Sequence, residues 1–172
     1  KSAFEKLGVT SIDAVFSFNG GLELTKNNLA RYRSRKKLVV DCPAARLYLK
    51  RYDHPPAAAQ LKNWLVAGKK VSCAFFDYTN PQQLRRLGIN APKVVCFGEE
   101  WGLLFEERSF CITEEIPNAQ SLEKKLPDCF AAGTTTEKLK AKRDFIGKLA
   151  DIVRRFHQSG YRHRDLYLSH IF

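Results

Sequence analysis

One helix face constrains this chain more than any other feature. Phe145, Ile146, Leu149, Ile152, Val153 and Phe156 recur at the 3, 4, 3 spacing of a single stripe, while Lys138, Lys140, Lys142, Arg143, Lys148, Arg154 and Arg155 fill the opposite side. Gly160 closes this helix. Residues 161–172 (YRHRDLYLSHIF) follow as a charged loop expected to run into a short strand. The region upstream must therefore supply partners for a buried amphipathic helix and a polar loop beside it.

That region begins strand-rich. Residues 21–26 (GLELTK), 37–42 (KLVVDC) and 46–52 (RLYLKRY) read as three short antiparallel strands, with 27–35 (NNLARYRSR) as a polar, basic connection. Helical spacing follows at Leu61, Trp64 and Leu65, stopped by Gly68, and again over 72–87, where Pro81 could introduce a kink. Residues 93–97, 102–106 and 110–113 read as further strands. Ser121 opens a short helix, and 127–136 reads as a connection. With 172 residues, 44% of them hydrophobic and 27% charged, the chain can bury roughly 70% of its unfolded surface, which excludes a disordered, collagenous or disulfide-stapled chain and fits one or two domains. No apolar window reaches membrane-spanning length, and the first residues lack the succession of a signal peptide. Five widely spaced cysteines, Cys42, Cys73, Cys96, Cys111 and Cys129, read as reduced thiols of a cytoplasmic protein. The absence of Met, even at position 1, suggests a piece of a longer chain.

The chemistry concentrates in the loop after the helix. His163-Arg164-Asp165-Leu166 and the four residues after it fit the kinase catalytic loop H-R-D-L-x-x-x-N except at the last position, where His170 stands. In that loop the Asp accepts the proton of the attacking hydroxyl, and the residue five positions later reaches a metal on the phosphates. A polar helix-to-strand loop with incidental charges is the bland alternative. A phosphate-holding lysine on a strand is the next requirement, and Lys50 in LYLKRY supplies it, on the face opposite Leu47 and Leu49. The acid that should pair with it from the following helix is Asp77, the only acid in 72–87. Asp is one methylene shorter than the usual Glu, so the helix would have to sit closer to the sheet.

The run Phe156-His157-Gln158-Ser159-Gly160-Tyr161-Arg162-His163-Arg164-Asp165-Leu166-Tyr167-Leu168-Ser169-His170 resembles the H-x-x-G-x-x-H-R-D-x-Y-x-x-H run of the lipopolysaccharide kinase family of the Kdo/WaaP type. Asp77-Tyr78-x-Asn80 with Leu84 and Gly88-Ile89 resembles its E-W-x-N-x-x-x-L-x-x-x-G-I helix end. Thr113-Glu114-Glu115-Ile116 leading to Ser121-Leu122 adds to the likeness, which covers roughly residues 15–172. The resemblance implies an α+β, protein-kinase-like fold. Residues 1–116 would form an antiparallel-sheet N-lobe, and 117–172 the start of a helical C-lobe. It implies ATP and Mg²⁺ as cofactors, Asp165 as catalytic base, and His163 and Arg164 bracing the loop. Lys50 and Asp77 would bind phosphate, Glu114 to Ile116 would form the hinge that meets adenine, and His170 would be a metal ligand. Residues 27–35 would cover the phosphates without a glycine, with Arg31, Arg33 and Arg35 substituting side-chain charge for backbone donors. The chain stops at Phe172, before any second metal-binding Asp, so the expectation is a fragment that does not turn over alone.

The net charge of +11 concentrates in 26–37 and on the polar face of 138–155. An anionic membrane surface carrying phosphorylated glycolipid would attract such a chain by about 1 kcal/mol per basic residue. Nucleic acid is the disfavoured partner, because Tyr32 stands nearly alone among the basic residues and no zinc spacing accompanies them. The leading expectation is phosphoryl transfer to a sugar hydroxyl of the lipopolysaccharide inner core, in the cytoplasm and peripheral at the inner membrane. A protein or small-molecule kinase of the same fold, and an inactive pseudokinase scaffold, are the alternatives.

Overall fold

Five strands form one antiparallel sheet in the order β1-β2-β3-β5-β4: β1 (Leu22–Glu23), β2 (Arg33–Asp41), β3 (Ala44–Asp53), β4 (Val94–Trp101) and β5 (Glu106–Glu114). The computed structural model describes residues 5, 8–24, 29–41, 44–162 and 166–172. The chain divides into two units, Lys1–Glu115 and Ile116–Phe172.

Alternation along β3 gives the sheet two different faces. Leu47 and Leu49 join Leu38, Val40, Phe110 and Ile112 in a core covered by helix α1 (Ile12–Ser17) through Val15, with Ile12 and Phe16 packed against it. Sequence reading left α1 out, although Ser11 caps it by accepting the Ala14 amide at 3.1 Å and Arg51 donates to the carbonyls of Val15, Phe16 and Phe18, each at 3.0 Å. On the other face Tyr52 and Cys111 pack with Cys73 and Ala74, where helix α3 (Phe75–Arg86) begins; helix α2 (Ala57–Ala67) precedes it.

Three sequence expectations change. Strand β2 starts at Arg33, inside the stretch read as a connection, because it pairs with β3 without interruption from Arg33↔Tyr52 to Asp41↔Ala44. Residues 102–106 are not a strand of their own: 102–105 turn the β4–β5 hairpin, with the Gly102 amide on the Phe105 carbonyl at 2.9 Å. The short strand expected in 161–172 is instead a 3₁₀ turn at Leu168–His170 among the described residues.

In the second unit α4 (Leu122–Cys129) contains Pro127, and α5 (Thr135–Gln158) starts with a reciprocal cap between Thr134 and Glu137. The apolar face of α5 stays half-open, with Leu139, Ile146 and Ile152 exposed. Among the described residues no helix is long and apolar enough to cross a membrane. Cys73, Cys96, Cys111 and Cys129 are free thiols.

Candidate active site

Because successive β3 side chains alternate, Tyr48, Lys50 and Tyr52 share the face that α3 covers. Lys50 Nζ donates to Asp77 Oδ1 at 2.6 Å, and the Tyr52 hydroxyl donates to Asp77 Oδ2 at 2.5 Å. Arg33 Nη2 in turn donates to the Tyr52 oxygen at 3.3 Å, and its guanidinium lies 5.2 Å from the centre of that ring. Both oxygens of the carboxylate are therefore held, one by a cation and one by a neutral donor. Burial pushes the Asp77 carboxyl up, but the Lys50 ion pair, the Tyr52 bond and the Arg33 charge outweigh it and leave it below the ordinary aspartate value. Burial, reinforced by the Asp77 charge, raises Tyr52 far above the ordinary phenol range, so Tyr52 stays a neutral donor.

The short acid demands a helix close to the sheet, and β5 provides the attachment. Ser109 Oγ accepts the Ala74 amide at 3.0 Å and Glu106 Oε2 accepts the Cys73 amide at 2.6 Å, so two amides at the entry to α3 are satisfied by strand side chains. Burial raises the Glu106 carboxyl against the lowering effect of its bonds from Ser109 and Cys73. Further along the helix Tyr78 stacks on Phe97 of β4 at 4.4 Å.

Strand β2 adds cations on the same face. Arg33, Arg35 and Lys37 register opposite Tyr52, Lys50 and Tyr48. Arg33 and Arg35, expected on a covering loop, thus project from a strand beside Lys50, while Arg31 is exposed in the turn before it. Arg35 Nε is buried and has no partner among the described residues. Beyond Tyr52 lies a cleft of about 260 Å³ lined by Tyr32, Arg33, Tyr52, Lys62 and Asn63, among others. Cationic side chains around a strand lysine suit the successive phosphates of a nucleotide.

At the other end of β5 lies the segment expected as the hinge. Glu114 pairs with Lys93 at 3.0 Å. Glu115 accepts from Lys37 Nζ at 2.6 Å, Tyr48 OH at 2.8 Å and Arg46 Nη1 at 3.4 Å, and its amide bonds the Arg46 carbonyl at 2.8 Å. The Lys37 bond leads in holding Glu115 below its ordinary value, against a partial opposing burial. The sequence pattern does not single out Tyr52, and it marks Glu115 only as part of the hinge segment. Ile116 opens the second unit.

His163, Arg164 and Asp165 lie outside the described residues. His170 sits in the 3₁₀ turn, 6.0 Å from Tyr167 between ring centres. Among the described residues no three His, Cys, Asp or Glu side chains stand together as a metal would need. An imidazole such as that of His170 is a poor sole ligand for Mg²⁺, which takes oxygen donors in an octahedral shell.

The model of the lipopolysaccharide kinase (Kdo/WaaP) family matches residues 33–172. The chain is 28% identical over 137 residues to a lipopolysaccharide core heptose(I) kinase WaaP of Escherichia coli, and 27% identical over 137 residues to the protein of that name from Escherichia coli strain K12. Each match covers 80% of this chain and 51% of the relative, so the chain spans about half the length of the curated relatives it matches. Among solved structures, WaaP in complex with acyl carrier protein superimposes with a TM-score of 0.61 at 20% identity, covering 92% of this chain and 54% of that one. That likeness is one of fold, and it makes the mixed α+β architecture kinase-like.

Proposed function

We propose that this chain, which belongs to the lipopolysaccharide kinase (Kdo/WaaP) family, carries the nucleotide-gripping part of an ATP-dependent kinase acting on a sugar hydroxyl of the lipopolysaccharide core. The observation that carries the reading is the Lys50–Asp77 pair at 2.6 Å, a strand ammonium held by a helix carboxylate. In phosphoryl transfer catalysis comes mostly from positioning and charge stabilisation, and a lysine so held meets the phosphates with its rotamer already chosen. Tyr52 keeps the second Asp77 oxygen occupied, so the carboxylate does not swing away when Lys50 turns toward an anion. Arg33 and Arg35 stand beside that position and supply charge where a glycine-rich loop would supply amides.

Asp165 is the proposed base. It takes the proton of the acceptor hydroxyl as the new oxygen–phosphorus bond forms and the bond to the departing nucleoside diphosphate breaks. His163 and Arg164 brace it. A divalent ion accompanying ATP would supply further charge neutralisation at the phosphates. We place the reaction at the cytoplasmic side of the inner membrane, where nucleotide and the growing glycolipid coexist.

The test uses the full-length protein, with nucleotide affinity and phosphate transfer to core oligosaccharide measured separately. Asp165→Asn lowers turnover by about 10²-fold or more while nucleotide affinity stays close to wild type. Lys50→Ala weakens both nucleotide affinity and turnover. Equal activity in both variants and wild type rejects the assignment.

A further inference from the structure

We infer that the apex of the β4–β5 hairpin and the adjoining face of α2 form a docking surface for an anionic lipid bilayer. This goes beyond the phosphoryl-transfer reading and uses none of its residues. The structure buries Leu38, Leu47 and Leu49 to 3% exposure or less, yet leaves Leu103 at 105%, Leu65 at 85%, Leu104 at 59% and Leu61 at 46%. Leu103 and Leu104 crown the turn closed by Gly102 and Phe105. Leu61 and Leu65 lie one helical turn apart and flank Trp64.

These leucines belong to one patch because aromatic rings join its two elements. Trp64 of α2 stacks on Phe105 of the turn at 5.7 Å and an interplanar angle of 14°, and lies 6.5 Å from Trp101 of β4. The indole N–H of Trp64 donates to the Val71 carbonyl at 2.9 Å, which fixes the ring. Lys70 holds its ammonium 4.5 Å from the Trp101 ring and 5.9 Å from Trp64, with exposed Lys69 beside it in sequence. Of the acids around the turn, Glu106 is buried and Glu100 pairs with Arg108, while Glu99 and Glu107 are exposed, the Glu107 carboxylate lying against Gly102.

Exposure falls from bare leucines to half-buried indoles flanked by lysine, which is the order of a bilayer surface: acyl chains, then the interface, then anionic head groups. A protein partner would need a pit matched to the two-leucine apex, whereas lipid deforms around it. A second copy meeting the patch with its own would bring together two chains that each carry a net charge of +11.

Sedimentation of the full-length protein with phosphatidylcholine vesicles, with and without phosphatidylglycerol, tests this. Wild type co-sediments with the mixed vesicles and its tryptophan emission shifts to the blue. Leu103→Ser and Leu104→Ser each lower vesicle affinity by about tenfold or more. Lys69→Glu with Lys70→Glu removes the dependence on phosphatidylglycerol. Lys50→Ala binds vesicles like wild type, so failure of nucleotide binding and failure of docking are read apart. Wild type remaining in solution with both vesicle types overturns the inference. So does a Leu103→Ser, Leu104→Ser double variant that binds vesicles as wild type does, or one that changes only self-association in sedimentation equilibrium.

Discussion

Pro81 removes one backbone donor from the middle of α3, and the carbonyl it leaves without a helical partner is that of Asp77, four residues earlier. Cys111 takes up that carbonyl from β5, its thiol 3.5 Å away, at the strand position registered with Lys50. The residue that was expected to kink the helix thus helps to tie it down where the short acid must reach the lysine. Asp77 was legible from sequence because it is the only acid in its helix, and Lys50 because a lysine interrupts an apolar alternation. Tyr52 was not, because an aromatic on a strand carries no sign of the partner that its hydroxyl meets 25 residues away. Asp77→Asn tests the electrostatic side. An unfolded aspartate titrates near 3.9, and the folded one lies lower. The stability contributed by ionised Asp77 is therefore complete above about pH 4 and is lost as pH falls through the folded value. In urea unfolding the variant is expected to trail wild type by about 1–2 kcal/mol at neutral pH, a modest cost because the pair keeps some contact with water. That gap stays constant above about pH 5 and narrows below pH 4.

Elements were read well where period and burial agree, and poorly where burial of a charged side chain overrides period. The first four residues of β2, Arg33-Ser34-Arg35-Lys36, carry no apolar alternation and read as a connection. They are strand because Lys36 is buried with its ammonium on the Asn19 carbonyl at 3.0 Å, and because Arg51 across the sheet donates to Ser34 Oγ at 3.0 Å. Helix α1 escaped for a related reason: six residues are too few to show a period, and its carbonyl end is satisfied by a guanidinium 33 to 36 residues away. Arg51→Ala leaves three carbonyls without their donor, and we expect it to cost about 2–3 kcal/mol. Amide exchange checks this: amides of α1 should exchange faster in the variant, whereas those of α5, which has its own Thr134–Glu137 cap, should not.

Across the whole chain, every buried apolar side chain among the described residues falls in the first unit, and the buried residue of the second is Ser121. The apolar stripe that dominates the sequence as a helix signal is thus real as a helix, but leaves its isoleucines, Ile146 and Ile152, exposed in this chain. Hydrogen exchange on these 172 residues should find the slowest amides in β3 and β5 and faster ones throughout α5. The motif that spoke most clearly of chemistry, 163–165, lies outside the described residues, while the pair that carries the geometric argument came from two quieter positions. Cys111 lies at the meeting of that sheet and α3, buried, its thiol pushed up to about 12 by burial first and the Asp77 charge second. A maleimide can capture it only when the helix lifts from the strands and water restores its acidity. Site-resolved alkylation at this sulfur should therefore count such openings. A bound nucleotide that draws the helix and strands together would stretch the interval between counts, giving a kinetic readout of cleft occupancy that needs no acceptor sugar.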